Sequence, residues 1–288
     1  MRVVGVDIGG TNVQVGLFDE MGEVYRVLEY ETNQARGGQY MIKQLIEQIT
    51  ILGPVDAIGV SVAGQVERDS GILIDAVNIS NTNQLPIKAI LQHHFHVPVI
   101  IENDVNAAAL GELHFGKKLE DFLYVSYGTG IGAAIIRQRT LFTGKDGFAG
   151  EVGHMVTHAG GRLCKCGLMG CYEMYGSTRA LVHEAKKLSP AYTNGKSIFT
   201  AYHKGNEQIK SIVFQWIDDL VVGLISLVHI FNPTTLVVGG SVMQQGMLAD
   251  MIEQRLNAQL IPSFRPVPVF ATNLGNKSGM LGVISLLT

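Results

Sequence analysis

Apolar positions along the chain follow two periods, one typical of strands and one typical of helices. Strands are predicted first, as short runs rich in valine that glycine-containing turns separate: VVGVDI, VQVGLFD and VYRVLEYET. The segments GQYMIKQLIEQIT and IKAILQHHF instead repeat apolar residues at helical spacing. Next to these helices, DAIGVSVAG and VPVIIEND return to strands, and NAAALGELHFG is rich in helix formers. The alternation predicts an α/β protein.

The second half of the chain begins by repeating the first. From Phe122, FLYVSYGTGIGAAIIR has the form of VVGVDIGGTNVQVGLF: an apolar strand, a glycine-rich tight turn and a second apolar strand. Two such units indicate an internal duplication. We therefore predict an N-terminal lobe at residues 1–117 and a C-terminal lobe at residues 118–288. The last predicted helix, from Ser278 to Leu287, can pack against either lobe.

Composition narrows the classes of function. Of 288 residues, 47% are hydrophobic and 16% are charged, so the chain can bury a large core. A formal charge of −3 provides no basic field for nucleic acid and no cationic face for a membrane. No secretory signal is visible, and Pro233 interrupts the uncharged run that begins at Leu220, which predicts a buried helix and strand. We expect a cytoplasmic homodimer that binds neither nucleic acid nor membrane.

The first glycine-rich turn has the chemistry of a phosphate site. Gly9 and Gly10 let a phosphate approach the backbone, whose N–H groups can donate to it together with the Thr11 hydroxyl. Asp7 leaves the strand where a carboxylate can hold Mg²⁺. Ordinary β-hairpins also carry paired glycines, so the turn alone leaves that alternative open. The predicted ATP-binding residues here are Asp7, Gly9, Gly10, Thr11 and Asn12.

Two further glycine-rich turns are candidates for nucleotide binding. GTGIGA differs from a Rossmann fingerprint because an apolar strand-like run follows where a helix should open. In LVVGGSVMQQG a buried strand ends in a glycine pair that can admit an adenine ring or the α-phosphate, although such turns are frequent in α/β proteins. The candidate ATP-binding residues in these turns are Gly128, Thr129, Gly130, Gly132, Gly239 and Gly240.

A candidate catalytic base lies where VPVIIEND meets the next helix. Phosphoryl transfer needs little covalent help, but a positioned carboxylate such as Asp104 can accept the proton of the attacking hydroxyl. Asp is also a favoured N-cap, so Asp104 can alternatively cap a helix that begins near Val105. The two phosphate-like turns favour the interpretation as a base.

Carboxylates and an imidazole cluster further along the chain. GEVGHM contains Glu151 and His154, and Glu173 follows in CKCGLMGCYE. Such groups recognise sugars by forming several hydrogen bonds with hydroxyls in fixed geometry. The alternative is that both glutamates are solvated surface residues. Their position among glycines and metal-ligand candidates favours a sugar site.

The cysteines of the chain all lie in one short segment. His154, Cys164, Cys166 and Cys171 supply one nitrogen and three thiolates, which is a structural zinc set with no open coordination position. His158 competes with His154 for the nitrogen position. Three reduced cysteines without a metal are the alternative.

Together these motifs resemble the ROK family of bacterial sugar kinases and repressors. The resemblance rests on DIGGT, ENDVNAAALGE, GTGIG, GEVGH and CxCGxxGCxE, which occur in that order over essentially the whole chain. It implies an actin-like ATPase (ribonuclease H-like) fold of two lobes, with ATP and a small sugar in a central cleft. It also implies that Asp104 is the base, that the four zinc ligands are those named above, and that residues matching Asn103, Glu151, His154 and Glu173 contact the sugar.

Departures from the family pattern bear on the substrate. Glucokinases of the family usually carry a Pro-Asn-Leu segment with a nearby Trp, whereas VNISNTNQLPI keeps Asn78 as a candidate sugar contact and lacks the Trp. The turn GTGIGAA also lacks a further glycine that many relatives have. We expect phosphorylation of a hexose, foremost the 6-hydroxyl of a glucose-like sugar. Kinases of N-acetylmannosamine, β-glucosides or fructose are the alternatives.

Two other classes of protein fit the sequence less well. A non-catalytic sugar sensor of this family has no need of Asp104, and its repressors carry an N-terminal helix-turn-helix domain for which we expect no room before the first strand at Arg2. An actin-like or chaperone-like ATPase has no need of GEVGH or the cysteine cluster. The sequence therefore favours a sugar kinase.

Overall fold

The computed structural model describes residues 1–76 and 78–288, which form two compact units. The first unit consists of residues 1–120, 139–149 and 276–288, and the second of residues 121–138 and 150–275. The sequence predicted a single boundary near residue 117. The structure adds two later segments to the first unit, residues 139–149 and 276–288. The second segment carries the C-terminal helix, which packs against the first strand: the backbone oxygen of Met280 lies 2.9 Å from where a Cβ on Gly5 would be.

The segments to which the sequence assigned a strand or a helix adopt that type in the structure, which also contains elements that were not predicted. The strands are β1 (Val3–Ile8), β2 (Asn12–Phe18), β3 (Val24–Glu31), β4 (Ala57–Val62), β5 (Gln65–Glu67), β6 (Ile72–Asp75), β7 (Val99–Asn103), β8 (Phe122–Tyr127), β9 (Ile131–Arg137), β10 (Thr140–Phe142), β11 (Leu236–Gly239) and β12 (Val269–Ala271). The α-helices are α1 (Gly37–Ile51), α2 (Ile87–Phe95), α3 (Asp104–Phe115), α4 (Glu173–Gly176), α5 (Thr178–Lys186), α6 (Gly195–His203), α7 (Glu207–Phe231), α8 (Leu248–Gln259) and α9 (Ser278–Ser285).

The first unit is built on a sheet with the strand order β3-β2-β1-β4-β7. β1 pairs antiparallel with β2 and parallel with β4, and β4 pairs parallel with β7. All six residues of β4 are buried, as expected for a central strand covered on both faces.

The second unit repeats this arrangement, with β9, β8, β11 and β12 in that order. β8 pairs antiparallel with β9 and parallel with β11, which pairs parallel with β12. These directions match those of β2, β1, β4 and β7. The topology therefore agrees with the duplication that the sequence predicted.

Glycines on adjacent strands seat the helix α9 on the first sheet. Gly16, Gly5 and Gly59 are cross-strand partners. A Cβ on Gly16 would lie 3.2 Å from the sulfur of Met280, and a Cβ on Gly59 would lie 2.7 Å from Cβ of Val283. The missing side chains thus form a shallow strip in which the helix lies close to the strands.

The opposite side of α9 meets α3 with equally little space. A Cβ on Gly282 would lie 1.7 Å from the backbone oxygen of Ala107, and a Cβ on Gly111 would lie 2.4 Å from that of Ser278. Glycine on each helix lets the two backbones approach more closely than side chains permit.

The helix α7 is the one described helix that is long and apolar enough to cross a membrane by length and composition. The uncharged run from Leu220 to Asn232 forms its second half, and the helix reaches this length because it starts earlier, at Glu207. Half of the 18-residue apolar stretch of α7 is buried inside the protein. The indole of Trp216 donates to the backbone oxygen of Gly176 at 2.9 Å. The predicted buried helix followed by a strand is confirmed in α7 and β11.

The contact between α3 and α9 predicts the effect of a single methyl group. Gly282→Ala should lower the free energy of unfolding by about 1–3 kcal/mol, because the new Cβ meets a backbone oxygen that cannot rotate away. This loss exceeds the gain of about 1 kcal/mol that alanine brings to a helix interior. Urea denaturation measures it. Gly246→Ala is the control, since that glycine is exposed and has open space around it; a Gly282→Ala protein as stable as wild type would contradict the packing argument.

Candidate functional site

The candidate residues of the first unit lie at one edge of its sheet. Asp7 of β1 pairs with Ser61 of β4, which in turn pairs with Glu102 of β7. Because the three strands are parallel, their carboxyl ends meet at the same edge, where ligands bind in open α/β sheets. Two strand spacings separate β1 from β7, about 10 Å.

Asp7 is held by a neighbour that the sequence did not single out. The Ser61 hydroxyl donates to Oδ1 of Asp7 at 2.7 Å, and a Cβ on Gly279, in the first turn of α9, would lie 2.8 Å from the same oxygen. Burial raises the pKa of Asp7, and the hydrogen bond from Ser61 partly opposes this rise. A carboxylate placed in this way gains from a nearby cation.

The first phosphate loop is braced through its carbonyl groups. Thr32 donates from its hydroxyl to the oxygen of Gly9 at 2.8 Å and from its backbone N–H to that of Thr11 at 2.8 Å, and the Gln34 amide donates to the oxygen of Gly10. With the carbonyl oxygens engaged by the segment after β3, the loop is held in one conformation. Neither Thr32 nor Gln34 was identified from the sequence, because their role depends on contact with a loop about twenty residues earlier.

Two predicted residues of this region lie in different surroundings. Asn78 is next to the loop, since a Cβ on Gly10 would lie 3.3 Å from Cβ of Asn78. Asn12, a predicted ATP contact, opens β2, and its amide donates to Oε1 of Glu29 on β3 at 2.7 Å. Thr11 is exposed and lines a surface hollow together with Gly10, Glu31, Asn33, Gln34, Ala35 and Arg36.

The start of α3 tests the alternative that Asp104 caps the helix. Oδ1 of Asn103 accepts hydrogen bonds from the backbone N–H groups of Val105 and Asn106, at 2.9 and 3.1 Å. Asn103 is therefore the N-cap, and Asp104 is the first helical residue. The alternative that Asp104 caps the helix is wrong. Asn103 also donates from Nδ2 to Oδ1 of Asp104 at 3.1 Å.

In the second unit, the second and third glycine-rich turns lie together. Gly240 has φ of 99°, and a Cβ on it would lie 2.2 Å from the backbone oxygen of Tyr127, directly before Gly128. Only glycine fits this position, because both the backbone conformation and the space exclude a side chain. Gly239 is paired with Ser126 on β8, while Thr129 at the tip of the second turn is exposed.

The turn at Gly128 is fixed by the helix that follows Glu173. The backbone N–H of Gly128 donates to the backbone oxygen of Gly130 at 3.0 Å. The backbone N–H of Thr178 donates to the backbone oxygen of Gly128 at 2.9 Å. Oε2 of Glu173 lies 2.6 Å from where a Cβ on Gly130 would be. The structure thus brings a predicted sugar-binding carboxylate against the predicted phosphate loop. The remaining glycine of this turn, Gly132, lies on β9 opposite Ser126.

Glu173 joins this turn to the cysteine segment. Its Oε1 accepts a hydrogen bond from the thiol of Cys164 at 3.2 Å and lies 3.6 Å from Nη2 of Arg179. Arg179 was missed by the sequence analysis, because an arginine at the start of a helix carries no signal of its own.

The predicted metal ligands converge. One ligand atom from each of four residues lies within 4.8 Å of all the others: His154, Cys164, Cys166 and Cys171. The sulfur atoms of Cys166 and Cys171 are 3.6 Å apart, and Sγ of Cys164 is 3.8 Å from Nδ1 of His154. Two sulfurs about 2.3 Å from one tetrahedral ion lie about 3.8 Å apart. These residues can therefore hold a metal ion.

The nitrogen of this set comes from His154 rather than from its competitor. The ring of His158 stacks on that of Tyr175 with a centroid distance of 3.7 Å and lies outside the cluster. Glu151 is exposed, and its backbone oxygen accepts from the N–H of His154 at 3.2 Å. One short turn thus carries a metal-ligand candidate and an exposed carboxylate.

Comparisons with known proteins match the whole chain. The model of the ROK family matches residues 3–288. The glucokinase of Thermotoga maritima is 29% identical over 310 residues, which cover 100% of this chain and 97% of that protein. The xylose repressor of Caldicellulosiruptor bescii is 31% identical over 315 residues, which cover 99% of this chain and 77% of the repressor.

A solved structure agrees with these relatives. The ROK family glucokinase from Streptomyces griseus, in complex with glucose and AMPPNP, superposes with a TM-score of 0.89 at 32% identity, and the match covers 99% of each chain. This likeness and the mixed sheets confirm the actin-like ATPase fold that the motifs implied. Since the family model spans nearly every residue, the chain belongs to the ROK family.

Proposed function

We propose that this protein transfers the γ-phosphoryl group of ATP to a hydroxyl of a hexose, foremost the 6-hydroxyl of a glucose-like sugar. The observation that carries the proposal is the start of α3, where Asn103 caps the helix and Asp104 occupies its first turn. Helix capping therefore does not account for Asp104. A carboxylate at the carboxyl edge of parallel strands, in a chain with paired glycine-rich loops, fits a general base.

In the proposed reaction, the oxygen of the sugar hydroxyl bonds to the γ-phosphorus, and Asp104 accepts the proton of that hydroxyl. The bond between that phosphorus and the β,γ-bridging oxygen breaks, and ADP leaves with the bond electrons. The protein contributes chiefly position and electrostatic stabilisation, because the transferred group passes through a loose transition state.

The nucleotide is assigned to the glycine-rich loops of both units. Backbone N–H groups of the loops at Gly9–Gly10 and Gly128–Gly130 suit phosphate oxygens, and the turn at Gly239–Gly240 is assigned to adenosine. Asp7 is the proposed contact of Mg²⁺, directly or through water, since that cation prefers carboxylate and phosphate oxygens. The rise of the Asp7 pKa on burial supports this assignment, because a bound cation offsets the cost of a buried charge.

The sugar is assigned to Asn78, Asn103, Glu151, His154 and Glu173. A glucose-like substrate is favoured because the S. griseus relative was solved with glucose, and because the T. maritima relative is a glucokinase. N-acetylmannosamine, β-glucosides and fructose are the other substrates to include in a screen. Measuring ATP consumption with each of these sugars tests the function directly. If no sugar supported ATP consumption, the proposal would be contradicted.

A sugar sensor without catalysis is the second candidate, because a xylose repressor is among the matched relatives. Such a protein binds sugar but has no use for a positioned base. Formation of a sugar phosphate by the purified chain decides against it.

We also propose that the four converging ligands hold a structural zinc ion. Three thiolates and one imidazole form a closed tetrahedral set, and their spacing fits such an ion. Bound zinc would fix the segment that carries Glu173 and His154. The ion would thereby shape the sugar site without taking part in the reaction.

The first prediction of this proposal concerns the base. Asp104→Asn keeps the size of the side chain but removes the basic oxygen, so kcat should fall by about 10²-fold or more. KM for sugar and ATP should change much less. Steady-state kinetics measure both, with Asp250→Asn on the surface of α8 as a matched control. Near-normal turnover of Asp104→Asn would show that another group accepts the proton.

The second prediction concerns the metal. Elemental analysis of the purified protein should find about one zinc per chain, and Cys164→Ser should lower zinc content, stability and sugar affinity together. Replacing either histidine gives a matched pair: His154→Gln should lose zinc, whereas His158→Gln should keep it, because His158 lies outside the cluster. A metal-free wild-type protein with full activity would refute the zinc assignment.

The third prediction concerns sugar recognition. Glu173→Gln should weaken kcat/KM for the best sugar by about 1–3 kcal/mol. The reason is that a buried sugar hydroxyl that donates to the carboxylate is left without its acceptor. ATP affinity should change little, since glutamine has the size of glutamate and preserves the contact with Gly130. The 2-deoxy, 2-acetamido and C1-substituted analogues of glucose should give sharply unequal kcat/KM values.

The control for this variant is Glu207→Gln, since Glu207 is exposed and pairs only with Lys210 among the described contacts. An equal loss of nucleotide affinity in Glu173→Gln, or unchanged discrimination among the analogues, would remove Glu173 from the sugar site.

A further inference from the structure

A buried carboxylate lies directly before the proposed sugar and base residues. Glu102, on β7, is 1% exposed, and its Oε1 accepts hydrogen bonds from the backbone N–H of Asn103 at 2.9 Å and from Nδ2 of Asn106 at 3.1 Å. One oxygen thus joins the end of the strand to the first turn of α3. Its other oxygen, Oε2, lies 2.6 Å from Nε of Arg68.

This ion pair is not explained by stability alone. Such a pair often adds little stability, because the buried carboxylate of Glu102 loses its hydration, while Arg68, with a side chain that is 36% exposed, stays partly in water. The pair does not form the cap directly, since the first free N–H groups of α3 donate to the side chain of Asn103. A charged pair at this place therefore points to a role in orienting the turn that carries Asn103 and Asp104.

The partner of Glu102 comes from the hairpin formed by β5 and β6. Arg68 directly follows β5, and the backbone oxygen of Gly64, directly before β5, accepts from Nδ2 of Asn103 at 3.0 Å. Both ends of this short strand are thereby tied to the turn that carries Asn103. The same amide of Asn103 donates to Oδ1 of Asp104.

We propose that Arg68 and Glu102 are positioning residues that fix the orientation of Asn103 and Asp104 for phosphoryl transfer. The proposal rests on the proposed function of Asp104 as the base. Arg68 fixes the side chain of Glu102, Glu102 fixes the backbone of Asn103 and the amide of Asn106, and Asn103 holds the carboxylate of Asp104. Neither Arg68 nor Glu102 contacts the substrates in this scheme.

The test uses Arg68→Gln and Glu102→Gln in the full-length protein. Each should lower kcat by about tenfold and leave KM for ATP within about twofold, because a small misplacement of a reacting group is costly while the nucleotide loops are untouched. The double variant should be no slower than the slower single variant, since the two residues act as one unit. Arg68→Lys keeps the charge and should recover part of the loss.

The control is another ion pair between an arginine Nε and a carboxylate, far along the chain and more exposed. Nε of Arg255 lies 2.9 Å from Oδ1 of Asp218 on the surface of the second unit. Arg255→Gln should keep wild-type kcat. If Glu102→Gln fails to fold, the variants of Arg68, whose side chain is 36% exposed, still provide the test.

A second measurement is independent of activity. Hydrogen exchange of the backbone amides of Val105 and Asn106 should become faster in Arg68→Gln than in wild type or Arg255→Gln, because the cap loses its support. Wild-type kcat, or unchanged exchange at these amides, in both Arg68→Gln and Glu102→Gln would overturn the positioning role. A wild-type protein that phosphorylates no sugar would instead refute the proposed function, and the exchange measurement would still decide whether the pair orders the turn.

Discussion

The seat of α9 on the first sheet is the constraint on which the first unit depends. Gly16, Gly5 and Gly59 remove the side chains across three neighbouring strands, so the helix lies against the sheet. The first turn of the helix then lies directly behind Asp7, where Gly279 leaves room for the carboxylate. A segment from the end of the chain thereby completes the surroundings of a residue at its beginning.

The repeated sheet topology explains why the candidate residues of each unit gather at an edge. In both sheets an antiparallel hairpin is extended by parallel strands, whose carboxyl ends share one side. The loops that follow those ends are free to differ, because the strands carry the core and the loops carry the chemistry. Both units accordingly present glycine-rich turns, to which the first adds a carboxylate and a helix cap and the second adds a metal-ligand cluster.

At the start of α3, one polar network assigns the role of helix cap and the proposed role of base to different residues. Asn103 performs the capping, so Asp104 is left to the proposed chemistry, and Glu102 supports both from the buried side. In the second unit Glu173 has a comparable position, since it contacts the thiol of Cys164 and packs against Gly130. Each carboxylate is thus held by neighbouring side chains: Asp104 by the amide of Asn103, and Glu173 by the thiol of Cys164 and by Arg179.

The sequence by itself determined most strands and helices of the first unit, the repeated glycine turns, the family and the three cysteines of the metal cluster, because these depend on local spacing and residue type. Only the tertiary structure decided that Asn103 rather than Asp104 is the cap, that His154 rather than His158 joins the cysteines, and that Arg68 pairs with Glu102. Some of these contacts join residues that are distant in the chain. In the others, two residues close together in the chain compete for the same role. Their outcome follows from strand register and packing, which local patterns do not encode.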